Sequence, residues 1–453
     1  MIILAAGKST RMKSVRSKVL HEVGGRSLIA HVFATAKQAG VSRMVVVTGH
    51  DREAVIAETT AHMPDATFAV QDPPEGTGHA VAAALEAAEV LKSFDGDVIV
   101  AFGDAPFLTV GDLASLQKGR EAGASVVVLG FRADDPEGYG RLIVADELAP
   151  GVFELEAIVE QKDASEEQRA IDFCNGGAML IEGAHLADLV GAIGNDNARG
   201  EYYLTDVVAL AVAKGLKAGA AEMAEDVVVG VDSRADLAAA EALFQSRARA
   251  AHMAAGVTLR DPETVYFSYD TILGSDVVVG QNVVFATGVE VADNVIIKPF
   301  SHLEGTSISH DAQIGPFARL RPAAVIGAGA KVGNFVEIKK ATIGDGAKVG
   351  HLTYIGDARI GAGTNVGAGT ITCNYDGYNK YFTDIGLNVF IGSNTALVAP
   401  VSVGDGANIA AGSTLTGNVP SDALGVARGR QRIIEGWAPN YRAQKQAEKD
   451  AKS

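Results

Sequence analysis

From residue 308 onward an apolar residue returns at every sixth position: 308, 314, 320, 326, 332 and 338. Two five-residue units then carry the series through 343, 349, 355, 360 and 366, and it resumes at 385, 391, 397, 403, 409 and 415. A six-residue period sustained over this length specifies a parallel β-helix. Three units make one triangular coil, each giving a short strand and a corner, and small residues after each apolar position let the chain turn. The 52 glycines and the 6% aromatic content suit such a region better than a bulky core does. Between 372 and 385 the period is interrupted by "TCNYDGYNKYFTD", an added polar and aromatic loop of the kind on which function tends to sit.

The first 230 or so residues read differently. Short β-branched runs at 44–49, 97–104 and 124–131 predict buried strands, and Ala-rich amphipathic segments at 27–39, 79–92 and 233–249 predict helices. Strands alternating with helices imply an α/β layer fold with a mostly parallel sheet, whose ligands sit at the carboxyl ends of strands. At about 150 residues per domain, 453 residues suggest two or three domains. The expected division is 1–232, a linker helix 233–252, the β-helix 253–437, and a charged, helix-prone tail 438–453. A formal net charge of −16 disfavours a nucleic-acid partner. Cys174 and Cys373 form no zinc or redox spacing and fit a reducing cytoplasm. The apolar run in "MIILAAGKST" is too short for a signal peptide or a membrane span, so no membrane partner is expected.

In the first region "LAAGKSTRM" (4–12) follows a short strand, and Lys8, Arg11 and Lys13 add charge to a small-residue turn where backbone N–H groups can approach an anion. It matches neither the P-loop nor the dinucleotide fingerprint, so an ordinary strand–loop–helix turn stays open. "FGDAP" (102–106) places Asp104 at a strand end, suited either to Mg²⁺ or to capping the helix at 110–121. "EGTGHA" (75–80) is a glycine-spaced turn that could lay bare backbone against a flat ring.

In the β-helix Arg321 and Lys339 are eighteen residues apart and should stack on adjacent coils, about 4.8 Å apart. Stacked like charges are unfavourable unless an anion bridges them. His351 sits on a corner with small Ala368 in the next coil, Glu337 within reach of one ring nitrogen, Tyr354 and Asn365 on nearby corners, and the loop of Asn374, Tyr375 and Lys380 following. An imidazole, with an unperturbed pKa near neutrality, can strip the proton from an amine attacking a thioester. Splayed cations and an inert surface histidine are the alternative reading.

"LAAGKSTRM", "SKVL", "GTGHA", "FGDAP", "GYGR", "VEQKDA", "CNGG" and "GEYYLTD" occur in the order seen in sugar-1-phosphate nucleotidyltransferases. Joined to the hexapeptide repeats, nearly the whole chain resembles the bacterial bifunctional N-acetylglucosamine-1-phosphate uridyltransferases / glucosamine-1-phosphate acetyltransferases. The resemblance implies an α/β Rossmann-like nucleotidyltransferase domain followed by a left-handed parallel β-helix of hexapeptide repeats. It implies a cytoplasmic homotrimer with Mg²⁺ as cofactor and acetyl-CoA and UTP as co-substrates. By the same resemblance Leu4, Ala5, Ala6, Gly7 and Gly103 would line the nucleotide, with Arg11 and Lys18 on its phosphates. Gln71, Gly76 and Thr77 would read uracil, Asp104 and Asp232 would hold Mg²⁺, and Gly140, Glu160, Asn175, Tyr203 and Thr205 would hold the amino sugar. His351 would be the base for acetyl transfer, supported by Glu337, with Asn374 on the amine and Ser393 on the tetrahedral intermediate or thiolate. Arg321, Lys339, Tyr354, Asn365 and Lys380 would bind glucosamine-1-phosphate, while Ala368, Asn374, Tyr375, Ser393, Ala411 and Arg428 would contact acetyl-CoA. The chain departs from the family pattern at Ser9, where a glycine is usual, at Asp232, where Asn is common, and at Ser17 and Phe102, which replace Pro and Tyr. The same residues leave two other readings: a nucleotidyltransferase whose β-helix only oligomerises or regulates, and a non-enzymatic β-helix scaffold.

Overall fold

The computed structural model describes residues 1–7, 10–197, 199–225 and 230–451, so Lys8 and Ser9 lie outside the described residues. The chain divides into two compact units, 1–247 and 248–453.

The first unit is built on a nine-stranded sheet. Its strands are β1 (Ile2–Ala5), β2 (Val45–Thr48), β3 (Thr67–Val70), β4 (Asp97–Phe102), β5 (Val126–Arg132), β6 (Arg141–Ala149), β7 (Val152–Val159), β8 (Phe173–Glu182) and β9 (Ala218–Met223). The spatial order is β3-β2-β1-β4-β8-β5-β9-β7-β6. β1 is buried at every position, as a strand covered on both faces must be. It pairs parallel to β2 and β4, which brings Ala5, Thr48 and Phe102 to one edge. The sheet is mixed, not mostly parallel. β8 runs antiparallel to both β4 and β5, and β6–β7 form an antiparallel hairpin that turns at Gly151. A two-residue link cannot make the crossover that parallel pairing needs, and apolar periodicity does not encode strand direction.

The expected helices form at Leu28–Gln38, Thr77–Ala87 and Arg234–Ala254. The helix predicted over 79–92 ends early and continues as a 3₁₀ turn, Glu89–Ser93. The helix Val110–Glu121 is capped by Thr109, whose hydroxyl accepts from the Asp112 backbone N–H while Asp112 accepts from Thr109. That removes the capping alternative for Asp104.

The second unit is a parallel β-helix in which strand pairs recur every coil: Ile314, Val332, Val349, Val366, Ile391 and Ile409 lie in one continuous register. All seventeen periodic positions named above are at most 5% exposed and fill the interior. The prism has three faces. One carries Arg319, Glu337, Tyr354 and Ile371 in register; a second carries Val325, Thr342, Arg359 and Asp384; the third carries Lys331, Lys348, Asn365 and Phe390. The interrupting segment leaves the prism between Cys373 and Thr383 and is drawn together by a bridge between Tyr375 and Lys380. The terminal helix Trp437–Asp450 has no buried residue.

Candidate active sites

In the first unit a cleft of about 790 Å³ opens at the carboxyl ends of β1 and β4. Leu4, Ala5, Ala6, Gly7, Arg11, Lys18, Gln71, Gly76, Thr77, Asp104, Glu160, Asn175, Tyr203, Thr205 and Asp232 all line it. Gly103 and Gly140 support the wall from behind. Gly103 N–H donates to the Leu4 carbonyl (2.9 Å), and the Gly140 carbonyl accepts from Asn175 N–H (2.8 Å).

Lys18 stands between two carboxylates. Its Nζ donates to Asp232 Oδ1 at 2.6 Å and pairs with Asp104 Oδ2, and Arg11 reaches the other Asp232 oxygen at 2.7 Å. Burial works against the Lys18 ammonium, but Asp104 and Asp232 outweigh it and hold its pKa above the ordinary lysine value. Burial likewise pushes Asp232 up, and Lys18 and Arg11 more than reverse that. The two carboxylates thus already converge on one cationic centre.

Across the cleft, Gly76 adopts φ +109°, and a Cβ there would lie 2.5 Å from the Tyr202 carbonyl oxygen. Glycine is therefore required for the turn to pack against residues 202–204. Gln71 Nε2 donates to the Gly76 carbonyl (2.8 Å), and Thr77 Oγ1 accepts from Leu204 N–H (2.9 Å). At the far end Thr205 Oγ1 donates to Glu160 Oε1 (3.2 Å), and burial lifts the Glu160 carboxyl above the usual range despite Thr205 and Arg199. Gln161, Lys162, Asp163, Arg199 and Glu201 also line the cleft and were not singled out from the sequence. Their proximity to Glu160 and Tyr203 in the chain was the available signal.

In the β-helix, Arg321 and Lys339 do stack on adjacent coils, since Arg321 N–H donates to the Ile338 carbonyl at 2.9 Å. Arg321, Lys380 and Lys340 together depress the Lys339 pKa, in that setting a mark of cations gathered at one edge of a face. His351 is exposed on the corner between the third and first faces, with Ala368 and Ser393 on the same corner of the next two coils. Gly350 precedes it, and the corresponding Gly333 lies so close beneath that a Cβ would come within 1.8 Å of the Gly350 carbonyl oxygen.

One expectation is corrected. The partner of the His351 ring is Asn334, not Glu337: Nδ1–H donates to Asn334 Oδ1 at 2.5 Å. Asn334 is the register partner of His351, whereas Glu337 stacks on Tyr354 and is held by Arg321 at 2.7 Å. Asn365 is on the third face, away from the row of Arg321, Lys339 and Tyr354. Asn374 is buried and its amide donates to Asp357 Oδ2 (2.5 Å), fixing the root of the loop, while Tyr375 and Lys380 are exposed on it. A second cleft, of about 600 Å³, contains Ser393 and Ala411 among Phe390, Asn408 and Leu424. Arg428 borders it, donating to the Ala411 carbonyl at 2.7 Å.

Residues 1–174 match the MobA-like NTP transferase domain, and residues 305–340 match the bacterial transferase hexapeptide (six repeats). Over 456 residues the chain is 53% identical to the bifunctional protein GlmU of Sinorhizobium medicae, covering 100% of this chain and 98% of that one. The proteins of the same name from Paramagnetospirillum magneticum and Agrobacterium fabrum are each 51% identical, over 454 and 451 residues, again covering 100% of this chain and 98% of theirs. No helix among the described residues is long and apolar enough to cross a membrane.

Proposed function

The chain belongs to the family of bifunctional GlmU proteins, acetyltransferase and uridyltransferase in one polypeptide, and from that premise we propose how its residues divide the two reactions. The β-helix acetylates glucosamine-1-phosphate from acetyl-CoA. The first unit then joins N-acetylglucosamine-1-phosphate to the uridylyl group of UTP and releases pyrophosphate.

For uridylyl transfer, a phosphate oxygen of the sugar phosphate attacks the α-phosphorus of UTP while the bond to pyrophosphate breaks. The protein aligns the two and offsets charge on the phosphate oxygens. Arg11 and Lys18 do the second; the Gly76–Thr77 turn holds the base; Glu160, Asn175, Tyr203 and Thr205 hold the sugar. The convergence of Asp104 and Asp232 on one ammonium supports this reading most directly, because the same pair suits Mg²⁺. Mg²⁺ takes one or two carboxylates and completes its shell with phosphates and water, a role that Asp104 and Asp232 suit. When bound, Mg²⁺ would supply charge neutralisation at the phosphates.

For acetyl transfer, the amine attacks the thioester carbonyl, its proton passes to His351 Nε2, and CoA leaves as the thiolate. Asn334 holds the opposite nitrogen protonated, which leaves Nε2 as the base. Arg321, Lys339 and Lys380 take the phosphate, and Glu337 keeps Arg321 in place. Ser393, Ala411 and Arg428 border the second cleft, which suits acetyl-CoA. Gly356, which stacks on Lys339, is five residues beyond His351, past the corner at Leu352. In a homotrimer the base of one chain could meet the phosphate cations of another across such a corner. An exposed ladder on the His351 corner agrees: Phe300, Phe317 and Phe335 stack at 4.9 and 5.2 Å, and Leu352 follows. Use of acetyl-CoA and UTP supports a cytoplasmic enzyme.

Asp104→Asn tests the assignment of the first unit. Pyrophosphate release should fall by roughly 10²–10³, with CoA release unchanged. Undiminished pyrophosphate release would move the phosphate chemistry elsewhere.

A further inference from the structure

Arg141 is the largest side chain that folding buries completely, at 1% exposed, and none of the chemistry above uses it. Its guanidinium meets neutral acceptors. Nη1 donates to the Tyr139 carbonyl, and Nη2 donates to Gln161 Oε1 (2.7 Å) and to the Arg169 carbonyl (3.2 Å). Nε finds no partner among the described residues. A buried charge held by dipoles alone is expensive and is not how a core is made stable.

Those acceptors belong to three separate segments around one end of the cleft. Tyr139 lies between Gly138, which lines the cleft, and Gly140, whose carbonyl holds Asn175. Gln161 belongs to the wall segment 160–163, every residue of which lines the cleft. Arg169 ends a short helix fixed by the Ser165–Gln168 capping box. From β6, Arg141 also stands opposite Cys174, one residue before Asn175.

We infer that Arg141 is a positioning residue for the sugar phosphate. It sets the spacing of the 138–140 turn, the 160–163 wall and Asn175, so that Glu160 and Asn175 meet the sugar together. The inference rests on the assignment of that end of the cleft to the sugar. A planar guanidinium suits the task because it offers fixed donors in several directions at once, whereas a lysine ammonium would satisfy fewer and demand more hydration.

The test is steady-state uridylyl transfer by the full chain, varying UTP and N-acetylglucosamine-1-phosphate separately, for Arg141→Met, Arg141→Lys, Gln161→Leu and Glu160→Gln. Acetyl transfer and thermal unfolding are read on each preparation. Arg141→Met should lower kcat/KM for the sugar phosphate by about 10–100-fold, with KM for UTP within about twofold and CoA release unchanged. Arg141→Lys should fall between it and wild type. Gln161→Leu leaves the core arginine in place and should give a smaller shift of the same kind, which carries the test if Arg141→Met does not fold. Equal loss for both substrates, or a lower melting temperature with unchanged kinetics, overturns the inference. If Glu160→Gln leaves the sugar-phosphate KM untouched, the sugar-end assignment fails first. If Glu160→Gln raises it while the Arg141 and Gln161 variants do not, the inference about Arg141 alone fails.

Discussion

An imidazole on an exposed corner serves as a base only if one nitrogen is fixed and the other is presented to substrate. Asn334 does the fixing for His351. Asn334→Ala should lower kcat for acetyl transfer by roughly tenfold, a part of the 10²–10⁴ that a positioned base supplies, with the KM of both substrates little changed. A KM effect alone would make Asn334 a binding residue instead. Glu160 gives a pH signature in the other reaction. Burial raises its pKa, so protonation overtakes it at a higher pH than a free carboxylate. KM for the sugar phosphate should rise as pH falls through that raised value, and Glu160→Gln should flatten this acid limb while raising KM overall. The linkage has the opposite sense for stability. A carboxyl that binds its proton more tightly when folded weakens the fold as pH rises through the unfolded value to the folded one. Glu160→Gln should therefore be neutral or slightly stabilising at pH 7 by thermal unfolding.

The elements that the sequence made legible were those whose period equals their structural unit. In the β-helix each hexapeptide is one strand and one corner, so the buried positions could be read directly from "LR", "IK" and "VGH" and the units around them. Counting coils was less reliable than counting units. Five-residue units make the step from His351 to its partner seventeen residues, which leads back to Asn334, while Glu337 is only fourteen residues away and belongs to the next face. Strand direction was not legible in the first unit, because the buried run Ala178–Ile181 of β8 reads like that of a parallel strand. Nor was Arg141, since nothing in "GYGR" says that its arginine faces inward. Close coil stacking yields an element-scale expectation. A methyl at Gly333 would collide with the Gly350 carbonyl, so Gly333→Ala should destabilise the β-helix by roughly 1–3 kcal/mol and displace the neighbouring His351 corner. Calorimetry should show the loss together with reduced CoA release, and a variant with wild-type melting and kinetics would contradict the packing.

At the scale of the whole molecule, one chain carries two chemistries, and in the proposed shared site the second depends on assembly. If the phosphate cations and the base that serve one sugar come from different chains, His351→Ala and Lys339→Ala variants unfolded and reassembled together should regain CoA release that neither has alone. Absence of recovery in verified mixed assemblies would place the acetyl site within a single chain. The separateness of the two chemistries is tested most directly by following free CoA and pyrophosphate from His351→Ala beside wild type, with glucosamine-1-phosphate, acetyl-CoA, UTP and Mg²⁺. The expected result is a loss of CoA release by roughly 10²–10⁴, with pyrophosphate release from pre-made N-acetylglucosamine-1-phosphate unchanged. Equal CoA release by variant and wild type would contradict the role given to His351, and no CoA release by wild type would contradict the acetyl-transfer chemistry given to the β-helix.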